Sequence, residues 1–169
     1  MEPEEYLEIV DYQGNIIDSA PRSEAHGNPS LMHKVVHVLV FNKNGEVLLQ
    51  KRSQNKDVAP GRWDTSVGGH VGVGEDLIVS SKREMHEELG ITGLEPEYLY
   101  SYVHSNVFET ELVATYRCLY EGDFSFNREE IDELRFWSFD EIREVIGNKI
   151  LSDNFEHEFQ KYLGYLGIM

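Results

Sequence analysis

Apolar and polar positions change their spacing several times along the chain, and each change predicts an element. Tyr6 to Val10 alternates enough to predict a short strand, with Gln13-Gly14-Asn15 as the turn after it. From residue 20 to residue 32, through Pro21, Gly27 and Pro29, no period holds and an irregular connection is expected. The valine-rich run His33 to Phe41, the Lys43-Asn44-Gly45 turn and the return run Glu46 to Lys51 predict a β-hairpin. Ser53 to Gly61, which holds Lys56 and Pro60-Gly61, reads as a loop. Beyond Trp63, a stretch rich in glycine (Gly68, Gly69, Gly72, Gly74) leads into a helix predicted from Asp76 to Leu89, with Gly90 as its stop. Tyr98 to Val107, Leu112 to Leu119 and Leu134 to Phe139 predict further strands. Short and long helices over Glu141 to Ile146 and Asn154 to Leu166 close the chain. Strands interleaved with a few helices make an α/β domain with a mixed sheet.

The chain has 169 residues, 40% of them hydrophobic, which suits one domain able to bury a core without cross-links. Cys118 is the sole cysteine, so no intramolecular disulfide can form; core packing is its expected role. The acidic start Met1-Glu2-Pro3-Glu4-Glu5 carries no apolar signal-peptide core, and no apolar run has the length of a membrane span. A cytoplasmic location is expected. Against 15 basic residues stand 31 acidic ones, a formal charge of -16. Such a surface repels nucleic-acid backbones and anionic membranes, so neither is an expected partner. A phosphorylated small molecule would be repelled too, unless metal ions or local cations stood at its site.

The chemistry concentrates in Gly69-His70-Val71-Gly72-Val73-Gly74-Glu75 and, seven residues later, Arg83-Glu84-Met85-His86-Glu87-Glu88-Leu89-Gly90-Ile91. At about 100° per residue, Glu84, Glu87 and Glu88 share one face of the helix, while Ile78, Met85 and Leu89 project from the other and can anchor it to a sheet. Three crowded carboxylates repel one another. Hard oxygen ligands at this density suit Mg²⁺ or Mn²⁺, which relieves the repulsion. Arg83 beside them can hold a carboxylate by a charged hydrogen bond.

Glycine, five residues, glutamate, seven residues, then Arg-Glu-hydrophobic-x-Glu-Glu-x-Gly-hydrophobic is the signature of the Nudix hydrolases. Gly69, Glu75, Arg83, Glu84, Met85, Glu87, Glu88, Gly90 and Ile91 match it at every defined position. The chain resembles that family. The resemblance implies an α/β/α sandwich with a mixed β-sheet and a loop-helix-loop catalytic motif, in one domain over residues 1–169 with an extension to about residue 32. It also implies Mg²⁺ (or Mn²⁺) on Glu84, Glu87 and Glu88, and hydrolysis of a diphosphate linkage in a small molecule such as a nucleoside di- or triphosphate. Dimers are common in the family, so a homodimer is allowed.

From about His26 to Glu111 the chain also resembles the branch that includes type I isopentenyl-diphosphate isomerases. His26, His33, His70, Glu109 and Glu111 match the residues that hold a divalent ion there, which implies a second metal site. Lys51, Arg52 and Lys56 match the basic stretch that binds diphosphate. Imidazoles mixed with carboxylates suit Mn²⁺, Zn²⁺ or Fe²⁺ better than Mg²⁺. Two departures count against isomerisation. Gly68 stands where the isomerases have a cysteine, and Glu84 and Glu87 complete a trio of which they keep only the last position. The expected activity is therefore hydrolysis, with an isomerase and a non-catalytic binding module as the rival readings. The general base is left open among Glu87, Glu109 and Glu111. His37, His86, His104 and His157 match nothing and read as ordinary surface or core residues.

Overall fold

A computed structural model describes residues 4–168. In chain order the elements are β1 (Tyr6–Val10), β2 (Ile16–Pro21), α1 (Arg22–Ala25), β3 (Met32–Phe41), β4 (Val47–Arg52), β5 (Trp63–Thr65), β6 (Val67–His70), α2 (Leu77–Leu89), β7 (Glu97–Ser105), β8 (Thr110–Leu119), β9 (Ile131–Trp137), α3 (Phe139–Val145) and α4 (Asp153–Leu166). The nine strands form one mixed sheet.

β3 is its hub. Along all ten residues it runs parallel to β8, from Met32 opposite Thr110 to Phe41 opposite Leu119. Its other edge takes β6 antiparallel, with Val35 opposite His70 and His37 opposite Gly68. The period of two in β3 sorts its side chains. Val36, Val38 and Val40 join Met85 and Leu89 of α2 in one core, while Leu39 joins Ile142 of α3 and Phe155 and Phe159 of α4 in another. Helices thus cover both faces, the α/β/α sandwich expected. Burying Met85 or Leu89 against the sheet contributes roughly 1.5–3 kcal/mol each, and Ile78 packs at the margin of the same core.

The expected hairpin forms only at its turn. Gly45 takes the left-handed conformation there (φ 76°), but the β3–β4 ladder holds the single pair Phe41–Val47. Both edges of β3 are already filled by β8 and β6, so β4 turns away to pair with β5 and β9. Two stretches expected to be irregular are ordered. Within the 20–32 stretch β2 ends at Pro21 and α1 takes Arg22–Ala25, and Val67–His70 is a strand despite its glycines. The strand expected over Leu134 to Phe139 runs from Ile131 to Trp137 instead; it ends before Phe139 because Ser138 starts a capping box with Glu141 and Phe139 already belongs to α3.

Candidate active site

The chain crosses from β6 to α2 through a tight loop, and Glu75 organises it. Its carboxylate accepts from the Gly72 backbone N–H at 2.9 Å and from the Ser80 hydroxyl, and takes Arg83 Nε and Nη2 as a bidentate pair at 2.8 Å each. The Arg83 bonds, partly offset by burial, hold Glu75 down at about 2. The same guanidinium donates to Glu84 at 2.7 Å, to Glu87 at 3.2 Å and to the His70 carbonyl at 3.0 Å. Gly90 ends α2 in the left-handed conformation (φ 72°), as its place after Leu89 predicts.

Glu84 reaches the site because Gly69 has no side chain: a Cβ there would stand 2.2 Å from the Glu84 carboxyl carbon. Glu88 accepts from Gln50 Nε2 of β4 at 2.9 Å. Burial raises Glu88 well above the usual carboxylate range and the adjoining Glu84 adds to this, although the Gln50 bond opposes it. Burial raises Glu84 as well. A cation beside these two carboxyls would relieve their mutual repulsion. Glu87 is exposed and turned to Arg83.

A cleft of about 290 Å³ opens over Gly68 and Gly69, lined by Glu84, His26, His70, Glu109 and Glu111 among others. The residues of the expected second site therefore meet. Ligand atoms of His26, His33 and His70, and again of His33, Glu109 and Glu111, lie within 4.8 Å of one another. His26 Nε2 is 3.0 Å from His70 Nε2 and 3.4 Å from Glu109 Oε2; His33 Nε2 is 3.7 Å from Glu111 Oε2. His33 is 0% exposed, and neither ring nitrogen has a hydrogen-bond partner among the described residues. Orphaned nitrogens in a sealed core are costly, and a metal ion is the partner that such a donor set fits. Burial, then the neighbouring His33 and His26, pulls His70 down to about 3, which keeps it neutral and able to ligate. Burial and the Glu111 charge push Glu109 up to about 7.

The expected basic stretch lies elsewhere. Lys51, Arg52 and Lys56 do not line this cleft. Lys51 pairs across the ladder with Trp63, on the side of the α3–α4 core. Arg52 holds Asp64 at 3.3 Å and the Val58 carbonyl at 2.7 Å, and Lys56 stays in the 53–61 loop. The arginine that does line the cleft is Arg22, in a segment expected to be irregular. His37 also lines it, bonded to Glu158 of α4, a pair whose separation of 121 residues left no local signal. Of the aromatics, Trp137 is core, while Tyr100 and Tyr102 donate their hydroxyls to Glu158.

The fold and the box on α2 define a class, and comparison with known proteins agrees. The NUDIX domain model matches residues 31–158, so the chain belongs to the Nudix family and is a hydrolase acting on acid anhydrides. A Nudix hydrolase of Yersinia pestis is 35% identical over 143 residues, covering 82% of this chain and 75% of that one. An isopentenyl-diphosphate isomerase of Streptomyces griseus is 37% identical over 86 residues, covering 51% of this chain and 44% of that one. The crystal structure of DR0079 from Deinococcus radiodurans superposes with a TM-score of 0.80 at 20% identity, over 93% of this chain and 98% of that one, and so shares the fold. Nudix enzymes use divalent metal ions. No helix among the described residues is long and apolar enough to cross a membrane.

Proposed function

We propose that this hydrolase cleaves the phosphoanhydride bond of a small-molecule diphosphate, with a nucleoside di- or triphosphate as the favoured class. The carrying observation is the meeting, in one cleft, of the Glu84 carboxylate with His26, His70, Glu109 and Glu111, whose ligand atoms gather around the buried His33. Glu84 and Glu88, joined by Glu87 once it leaves Arg83, would hold Mg²⁺ or Mn²⁺, and the imidazole-rich cluster would hold a second divalent ion. Bound there, the ions supply Lewis acidity toward the phosphate oxygens and the attacking water. The chain's own groups do the rest. Gly69 leaves room for Glu84, Gln50 orients Glu88, and Arg83 with Glu75 fixes the carboxylates as positioning residues. Arg22 replaces Lys51, Arg52 and Lys56 as the cation facing the substrate. Water adds to one phosphorus and gives up its proton to a carboxylate among Glu87, Glu109 and Glu111, from which it passes to solvent; the P–O bond to the bridging oxygen breaks, that oxygen leaves with the other phosphate, and both products exit as anions. Residues 1–169 act as one domain, with the first 32 as an extension contributing Arg22 and His26.

Assembly of the cluster also supports the isomerase as second reading, since the residues that match that family's metal ligands lie together. Gly68 argues against it. Proton transfer to carbon needs a placed acid, and Cys118 lies against the α2 core with its thiol pushed up to about 12 by burial. Phosphate release from nucleoside diphosphates, nucleoside triphosphates, nucleotide sugars and isopentenyl diphosphate, with Mg²⁺ or Mn²⁺, separates the two. Glu88→Gln should lower turnover by a factor on the order of 10³ and keep the fold by circular dichroism. Undiminished turnover in that variant, or double-bond migration without phosphate release, overturns the assignment.

A further inference from the structure

His37 sits on β3 with its side chain on the cleft face, directly across the ladder from Gly68. Its Nδ1 meets Glu158 Oε1 at 2.8 Å. Glu158 is 0% exposed, yet it accepts three further bonds, from Thr115 Oγ1 at 2.7 Å, Tyr102 at 3.1 Å and the Tyr100 hydroxyl. A sealed carboxylate with so many donors stays ionised: burial opposes this, but the bonds from His37, Tyr100 and Thr115 outweigh it. Burial opposes protonation of His37, but the hydrogen bond to Glu158 at 2.8 Å and the charge of that carboxylate outweigh it and raise the imidazole toward its protonated form. With Nδ1–H committed to Glu158, an imidazolium has one donor left.

That donor is Nε2–H. It has no hydrogen-bond partner among the described residues, and although His37 is only 5% exposed, the residue lines the cleft. Gly68 keeps the ring accessible, since a Cβ there would stand 3.3 Å from His37 Cδ2 and 3.7 Å from Nε2. Carboxylates dominate the rest of the lining (Glu5, Asp64, Glu84, Glu109, Glu111). Accepting oxygens cannot hold phosphate oxygens, so a donor among them has a particular use.

We propose that His37, held by Glu158, donates a hydrogen bond from Nε2 to a non-bridging phosphate oxygen of the substrate, and that Gly68 is glycine at this position to leave that donor open. The inference rests on the hydrolase reading for its ligand class. The geometry it requires is the unpartnered Nε2 beside Gly68, backed by the buried Glu158.

Inorganic pyrophosphate is the probe, added to the Mg²⁺-loaded, histidine-labelled protein at pH 7. The His37 ring should carry both N–H protons, and its Nε2 resonance should shift as pyrophosphate saturates the site. By calorimetry, His37→Ala should weaken pyrophosphate binding about tenfold or more, and His37→Gln, which keeps an N–H near the same place, should recover part of it. A His37 resonance that stays put at saturation overturns the proposal, whatever the variants do. So does wild-type protein that fails to bind pyrophosphate, or His37→Ala binding it as the wild type does. Failure of the hydrolase reading is seen separately, as turnover that survives Glu88→Gln.

Discussion

Arg83 makes five hydrogen bonds from one guanidinium, two of them to Glu75, so its role is to hold other charges in place. The Glu75 side of that arrangement carries a pH signature. Its folded value of about 2 lies below the ordinary 4.5, so the stability it contributes is complete above pH 4.5 and is lost as pH falls toward 2. Glu75→Gln keeps the shape and removes the charge. It should cost about 1.5 kcal/mol at pH 7, and its stability should fall less steeply between pH 4.5 and 2. Urea denaturation at several pH values reads both effects, and parallel pH curves for the two proteins would sink this account. At this scale the box residues were legible, because glutamates at i, i+3 and i+4 share a helix face whatever surrounds them. Arg22, His37 and Glu158 were not, since their roles come from contacts between segments far apart in sequence.

Gly69 shows how two elements make a site that neither contains. β6 passes close enough to α2 that the Glu84 carboxylate fills the volume a Cβ at Gly69 would take. Gly69→Ala should therefore push Glu84 out of the cleft. A drop in turnover of about 10²-fold or more is expected, consistent with the cost of a misplaced group at a reacting centre, while the melting temperature changes little. Intact turnover in this variant would mean that Glu84 does not have to stand there. The helix itself was readable to within a residue, from Asp76 just before its start to Gly90 as its left-handed cap. The β3–β4 hairpin was misread because its turn residues are local while its strand partners are not: β8 arrives from nearly eighty residues downstream. β6 was missed because two of its four residues are glycines, which show no alternation. Ile16 and Ile17 of β2 are exposed, so that strand buries too little to leave a pattern.

The net charge of -16 converges on one place. Five carboxylates line the cleft with Arg22 and the imidazoles of His26, His37 and His70, and the buried His33 has no hydrogen-bond partner at either ring nitrogen among the described residues. A chain arranged this way stores repulsion at its site, and divalent ions bound to the folded form alone relieve it. By mass action, an ion at a hundred times its Kd stabilises by about 2.7 kcal/mol, which for a domain of this size raises Tm by roughly 5–10 °C. Chelation with EDTA should lower Tm by that amount, and Mn²⁺ should restore it more fully than Mg²⁺, because three imidazoles join the ligand set. The two sites can be separated. His33→Ala should abolish the extra gain from Mn²⁺ while keeping the response to Mg²⁺, and Glu84→Gln with Glu88→Gln should remove the response to Mg²⁺. A melting temperature indifferent to EDTA would show that the cluster and the box bind no ion, and the proposed chemistry would lose its Lewis acid.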